Sequence, residues 1–147
     1  MAVITIERPE IARSFQAVAP EINEYQADTA ATWSFGDILE FNTATGKANK
    51  AEAGDSLLLG IALSDCPYVT RTDLTKYPVE LFTIDTVLFI NTWVNNTITD
   101  AANAIAQANI GNYYDLAIAA SPHGAYHVLD FGNTTDAILQ ILEVSGV

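Results

Sequence analysis

The chain has 147 residues, half of them hydrophobic and only 16% charged, and its 18 acidic residues outnumber 6 basic ones for a net charge of −12. This hydrophobicity excludes a disordered chain, the length suits one domain with room for an appendage, and the negative field makes phosphate backbones and anionic lipid surfaces poor partners. No apolar run reaches the ~18 residues of a membrane-spanning helix, and the single cysteine, Cys66, permits neither an internal disulfide nor a thiolate zinc site.

Residues 1–31 read as an extended N-terminal arm. Val3-Ile4-Thr5-Ile6 alternates for one short strand, which Pro9 interrupts. Ile11 to Val18 has the length of two helical turns ended by Pro20, and Glu21 to Thr32 is polar apart from Ile22 and Tyr25. Charge and proline stand where a signal peptide needs an apolar run, so the expected site of synthesis is a reducing cytoplasm.

Residues 32–147 carry a different pattern, short strands separated by turn residues. Phe35 to Phe41 is a turn leading into a strand, Thr43-Ala44-Thr45-Gly46-Lys47 a turn, Lys47 to Ala51 a polar strand or edge, and Leu57 to Leu63 a buried strand. After a proline-flanked loop from Cys66 to Pro78, Val79–Ile84, Thr86–Asn91 and Trp93–Ile98 continue the strands, rich in β-branched and aromatic residues. Thr99 to Ala108 is the one helix expected, capped by Thr99 or Asp100 and closed by Gly111. Tyr113–Ala119, a turn at Ser121-Pro122-His123-Gly124, Ala125–Leu129 and a last strand over 137–144 complete the chain. The expected fold class is mainly β: a small β-barrel or β-sandwich with one short helix and the N-terminal arm.

Residues suited to catalysis are few. A nucleophile needs an activating base, and the only side chains of fitting pKa are His123 and His127, which with Asp130 would make a thin metal or hydrolytic site. Exposed hairpin histidines are the plainer reading. Asp37/Glu40 and Glu52/Asp55 lie near turns, where acids cap and solvate, and Asp65 and Asp73 match no calcium loop. No phosphate loop, nucleotide-binding glycine pattern or zinc-protease motif occurs, so no catalytic residue, metal or cofactor is assigned and an enzyme is not expected. Tyrosine combines a large apolar ring with a polar tip, which makes Tyr68, Tyr77, Tyr113, Tyr114 and Tyr126 candidates for an interface or a stacked ligand.

Three motifs in order, Gly36-Asp37-Ile38-Leu39-Glu40-Phe41, Thr45-Gly46-Lys47-Ala48-Asn49-Lys50-Ala51 and Gly60-Ile61-Ala62-Leu63, resemble the Gly-Asp strand, Thr-Gly-Lys turn and Gly-Ile-Ala strand of tailed-bacteriophage capsid decoration, or cement, proteins. Ile105 to Ile118, with Asn109-Ile110-Gly111-Asn112-Tyr113-Tyr114-Asp115-Leu116, is similar to their helix, glycine turn and following strand, and Asn133-Thr134-Thr135 to their ending. The resemblance spans roughly residues 33–145 as an order of short motifs; the loop from Cys66 to Pro78 and the two strands after it fit it least well, and residues 1–31 have no counterpart in it.

The resemblance implies a β-barrel with a helix, commonly trimeric, seated on the outside of a virion's shell and stabilising it. Its partners would be the major capsid protein and further copies of itself, not nucleic acid or membrane. On this reading Val3, Ile4, Ile6, Phe15 and Tyr25 of the arm, with Tyr68 and Tyr77, are the candidate capsid or subunit contacts. A carbohydrate- or receptor-binding module of a virion, stacking its ligand on tyrosines such as Tyr68, Tyr77, Tyr113 or Tyr126, is the alternative.

Overall fold

The computed structural model describes residues 10–14, 20–67, 75–83, 86–90, 92–93, 107–121, 124–130, 132–135 and 137–142. They are mainly β, as the turn-punctuated sequence predicts. Their eleven strands are β1 (Glu10–Ser14), β2 (Ile22–Gln26), β3 (Ile38–Asn42), β4 (Lys47–Lys50), β5 (Leu58–Ala62), β6 (Lys76–Leu81), β7 (Thr86–Phe89), β8 (Thr92–Trp93), β9 (Tyr113–Ser121), β10 (Gly124–Asp130) and β11 (Leu139–Gln140). The chain forms two compact units. The first comprises the described parts of Pro9–Ala51 and Leu57–Phe89; the second takes in Glu52–Ser56 and the described part of Ile90–Val147.

In the first unit a five-stranded antiparallel sheet runs β2-β6-β5-β3-β4. Side chains alternate along its strands, so Leu39, Ala48, Val79 and Ala62 meet in one core with Ala31, Trp33 and Cys66, while Tyr25, Leu59, Tyr77 and Leu81 pack around them. The sheet is not a closed barrel. Its outer strands are linked past the end of β2 through a parallel bridge between Ala27 and Ala48 and an Asp28 N–H bond to the Ala48 carbonyl at 2.8 Å. Gly46 and Gly60 are required by geometry for different reasons. Gly46 turns the β3–β4 hairpin at φ +70°, and a Cβ on Gly60 would run into the Glu80 carbonyl oxygen of the adjacent strand.

Two expectations for the N-terminal segment meet different structure. Glu10–Ser14 is a strand antiparallel to β7, with a register shift between Ile11 and Arg13, and is not the first turn of a helix. Two helical turns nucleate poorly by themselves, whereas β7 offers this segment a ready ladder of backbone partners. Ile22–Gln26, also within residues 1–31, joins the five-stranded sheet along β6. The expected helix over 99–108 falls mostly outside the described residues; its described end is a single 3-10 turn at Gln107–Asn109.

The second unit holds a four-stranded sheet, β11-β9-β10-β8, antiparallel except for the β10–β8 pair. The β9–β10 hairpin pairs Ser121 with Gly124 and continues to Asp115 opposite Asp130, as its turn residues predict. Tyr114, Leu129 and Ile141 form its core with Ile90 and Leu139 against them.

Candidate functional site

The side chains with chemical potential are mostly engaged in holding the backbone. His127 lies in β10 and is fully buried, so the exposed-histidine reading does not hold for it. Its position pairs with Ile118 of β9, and Val128 and Leu129, which follow it, are buried too. Asp130 stands three positions along the same strand, an odd spacing that sends the two side chains to opposite faces. The Asp130 carboxylate instead accepts the Gly132 N–H at 3.0 Å. His123 lies outside the described residues. No group of three or more His, Cys, Asp or Glu able to hold a metal occurs among the described residues.

Every described aspartate accepts a backbone N–H. Asp28 takes that of Thr29 at 2.8 Å, Asp37 that of Ser34 at 2.8 Å, Asp55 that of Glu52 at 2.6 Å and Asp65 that of Phe35 at 2.7 Å. Asp115 takes those of Leu116 at 2.7 Å and Gly54 at 3.1 Å, and Asp130 completes the set. These are the turn-forming bonds that short acidic side chains make best. The Thr29 N–H holds the Asp28 carboxyl below its ordinary pKa; burial, the next largest influence, opposes it, and the Thr45 hydroxyl, the Asn42 amide and the charge of Lys47 add to the lowering.

Cys66 is fully buried, with Sγ 3.5 Å from the Ala31 carbonyl, and packs as a small core residue.

The tyrosines divide. Tyr77 is half-buried with its ring edge-on to Trp33 at 5.4 Å, and Tyr25 meets Phe41 edge-on at 6.2 Å. Tyr114 is a core residue, not a surface candidate: it is 5% exposed, and its hydroxyl accepts from Asn109 Nδ2 at 2.9 Å. Tyr113, its neighbour on the opposite face of β9, is 53% exposed. Val3, Ile4, Ile6, Phe15 and Tyr68 lie outside the described residues, as does the side chain of Tyr126.

Tyr113 belongs to a surface that sequence reasoning did not assemble. It pairs with Gln140 of β11, and beyond that pair the Gly111 N–H bonds the Ile141 carbonyl at 2.8 Å while the Ile141 N–H bonds the Asn112 carbonyl at 3.1 Å. These bonds set Ile141 against both Gly111, at φ +89°, and Asn112, and alternation from Gln140 brings Leu142 to the face that carries Tyr113 and Gln140. Leu142 is 55% exposed, and Ile110, next to Gly111, is exposed too. Leu139 and Ile141 alternate to the inner side. The signal is present in the alternation of residues 139–142, but Leu142 shares its parity with the polar Gln140, so the pattern alone does not mark it as exposed.

No protein-family model, no curated protein and no solved structure matches this chain.

Proposed function

We propose that this protein is a structural decoration protein of a tailed-phage head, attached as an oligomer, a trimer by the resemblance, to the outside of the shell formed by the major capsid protein, which it reinforces. The observation that carries the reading is the use of the aspartates: all those described fasten a turn or strand end through a backbone N–H. A strand framework stapled in this way is a rigid platform, and rigid platforms joined in several copies gain avidity from individually weak contacts. The motif order supports the same reading, since Gly36-Asp37, Thr45-Gly46-Lys47 and Gly60-Ile61-Ala62 fall at the start of β3, at the β3–β4 turn and within β5.

The test is co-sedimentation of the purified protein with shells that lack decoration, after its mass in solution has been measured by light scattering. An oligomer that saturates the shells is the expected result; a monomer left in the supernatant overturns the proposal. Residues 1–9, which include Val3, Ile4 and Ile6, are the part of the arm that can be deleted without removing β1. The expected outcome of that deletion is weaker shell binding with unchanged urea unfolding, and unchanged occupancy would remove the arm from the mechanism.

The exposed ring of Tyr113 favours a second reading, a carbohydrate-binding module of a virion. Saturable binding on a glycan array, abolished by Tyr113→Ala, would select it.

A further inference from the structure

We infer that the outer face of the β9–β11 pair, centred on Tyr113 and Leu142 with Ile110 beside them, is a docking surface for a protein whose matching face is apolar at its centre and basic at its rim. The inference rests on the decoration reading, in which that protein is the shell subunit. In an antiparallel sheet with one face on a core, the other face is ordinarily polar. Here the inner face is made by Tyr114, Leu139 and Ile141, yet the outer one presents large apolar side chains at 53% and 55% exposure. Tyr113 and Leu142 are diagonal neighbours across the ladder, within reach of one another for an aromatic ring.

The face is also built to keep its shape. Gln140 Nε2 bonds the Gly111 carbonyl at 2.9 Å, fixing the turn that carries Ile110. Two residues along β9 on the same face, Asp115 is covered: the Gly54 N–H and the Asn133 amide close over it, and it is 1% exposed. The apolar surface therefore ends at a fixed polar boundary, which is the arrangement of an interface centre and its rim.

Charge selects the occupant. No Lys or Arg occurs from Tyr77 to Val147, a stretch that holds seven acidic residues: Glu80, Asp85, Asp100, Asp115, Asp130, Asp136 and Glu143. Ile110, Tyr113, Gln140 and Leu142 are uncharged, so the face itself repels nothing, while the chain's net charge of −12 favours a cationic partner. A partner rimmed by Lys and Arg is drawn in by that field and held by the apolar centre.

The experiment compares wild type with Tyr113→Ala/Leu142→Ser on undecorated shells, with the exposed Ile22→Ser in the first unit as control. Both altered side chains are exposed, so urea midpoints should match wild type and any loss is one of binding. The double variant is expected to lose at least about tenfold in affinity. The control should lose nothing, and wild-type binding should weaken as salt rises from about 0.05 to about 0.5 M. If wild type sediments and the double variant sediments equally well, the surface is wrong and the decoration reading stands. If wild type fails to sediment, the decoration reading falls and takes this surface with it. If the double variant instead reduces the mass of the oligomer in solution, a second copy occupies the face and the basic partner is overturned.

Discussion

Asp37 in the first unit and Asp115 in the second are each 1% exposed, and they are held by opposite means. Asp37 has a cation: Lys50 Nζ lies 2.9 Å from its Oδ2, across the β3–β4 hairpin. Asp115 has amides: the Gly54 and Leu116 N–H groups and the Asn133 side chain, the last at 3.0 Å. The difference follows from composition, since five of the six basic residues lie between Arg13 and Lys76 and none follows Lys76. Where no cation is in reach, a buried carboxylate must be satisfied by dipoles, and dipoles must be brought to it by the backbone. The chain does this by sending Glu52–Ser56 into the second unit before returning to β5. A charge pair ties two strands; an amide cage also ties a distant turn.

The comparison breaks most readily at Lys50. Lys50→Met leaves the Asp37 carboxylate buried beside an apolar side chain, and removing one partner of a buried pair typically costs about 3 kcal/mol or more. The expected loss is about 3 kcal/mol at neutral pH, at the lower end because Lys50 is itself 20% exposed and water can follow it in. Adding Asp37→Asn to that variant should restore all but about 1 kcal/mol, because an amide oxygen still accepts the Ser34 N–H and no charge remains buried. Urea unfolding of the three proteins checks this. A double variant no more stable than Lys50→Met would show that the pair does not act as a unit.

Asp115 should admit no such rescue. Asp115→Asn is nearly isosteric, yet both carboxylate oxygens are acceptors, Oδ1 from Leu116 and Gly54 and Oδ2 from Gly54 and Asn133. An NH2 group at either place faces another donor. Asn133 cannot simply turn its amide over, because its Oδ1 already accepts the Thr135 N–H at 2.9 Å. The expected cost is about 2 kcal/mol, with faster amide exchange at Gly54. A urea midpoint at the wild-type value would mean that water can replace the cage.

The strand content was legible because short apolar runs alternate with turn residues, and the β3–β4 and β9–β10 hairpins lie where Thr45-Gly46 and Ser121–Gly124 place them. Glu10–Ser14 was misread because its partner, β7, is more than seventy residues away and a local pattern cannot report distant pairing. The burial of His127 and Tyr114 was hidden for a related reason. Each sits in a strand whose two faces are both substantially apolar in sequence, so the local pattern does not show which parity points inward. Of the candidate surface, Tyr113 could be named from its chemistry; Ile110 and Leu142 needed the register of β11 to join it.

The smallest expected effect concerns the corner where the five-stranded sheet nearly meets itself. Asp28 accepts from Thr29, Asn42 and Thr45 there, and its own N–H reaches Ala48. These donors favour the ionised form, so the native pKa lies below the unfolded one. The sign follows from linkage: the contribution is fully present above the unfolded pKa and disappears as pH falls through the lowered native value. Asp28→Asn keeps an oxygen for Thr29 and loses the charge. The variant should be less stable by about 0.5 kcal/mol at neutral pH, a modest figure because water reaches this corner and screens it. Urea midpoints measured from about pH 7 down to about pH 2 should converge at the acid end. A gap that persists in acid would mean that Asn at this position disturbs the Ala27–Ala48 contact by its shape, and that this link between the sheet's outer strands depends on packing and not on the carboxylate charge.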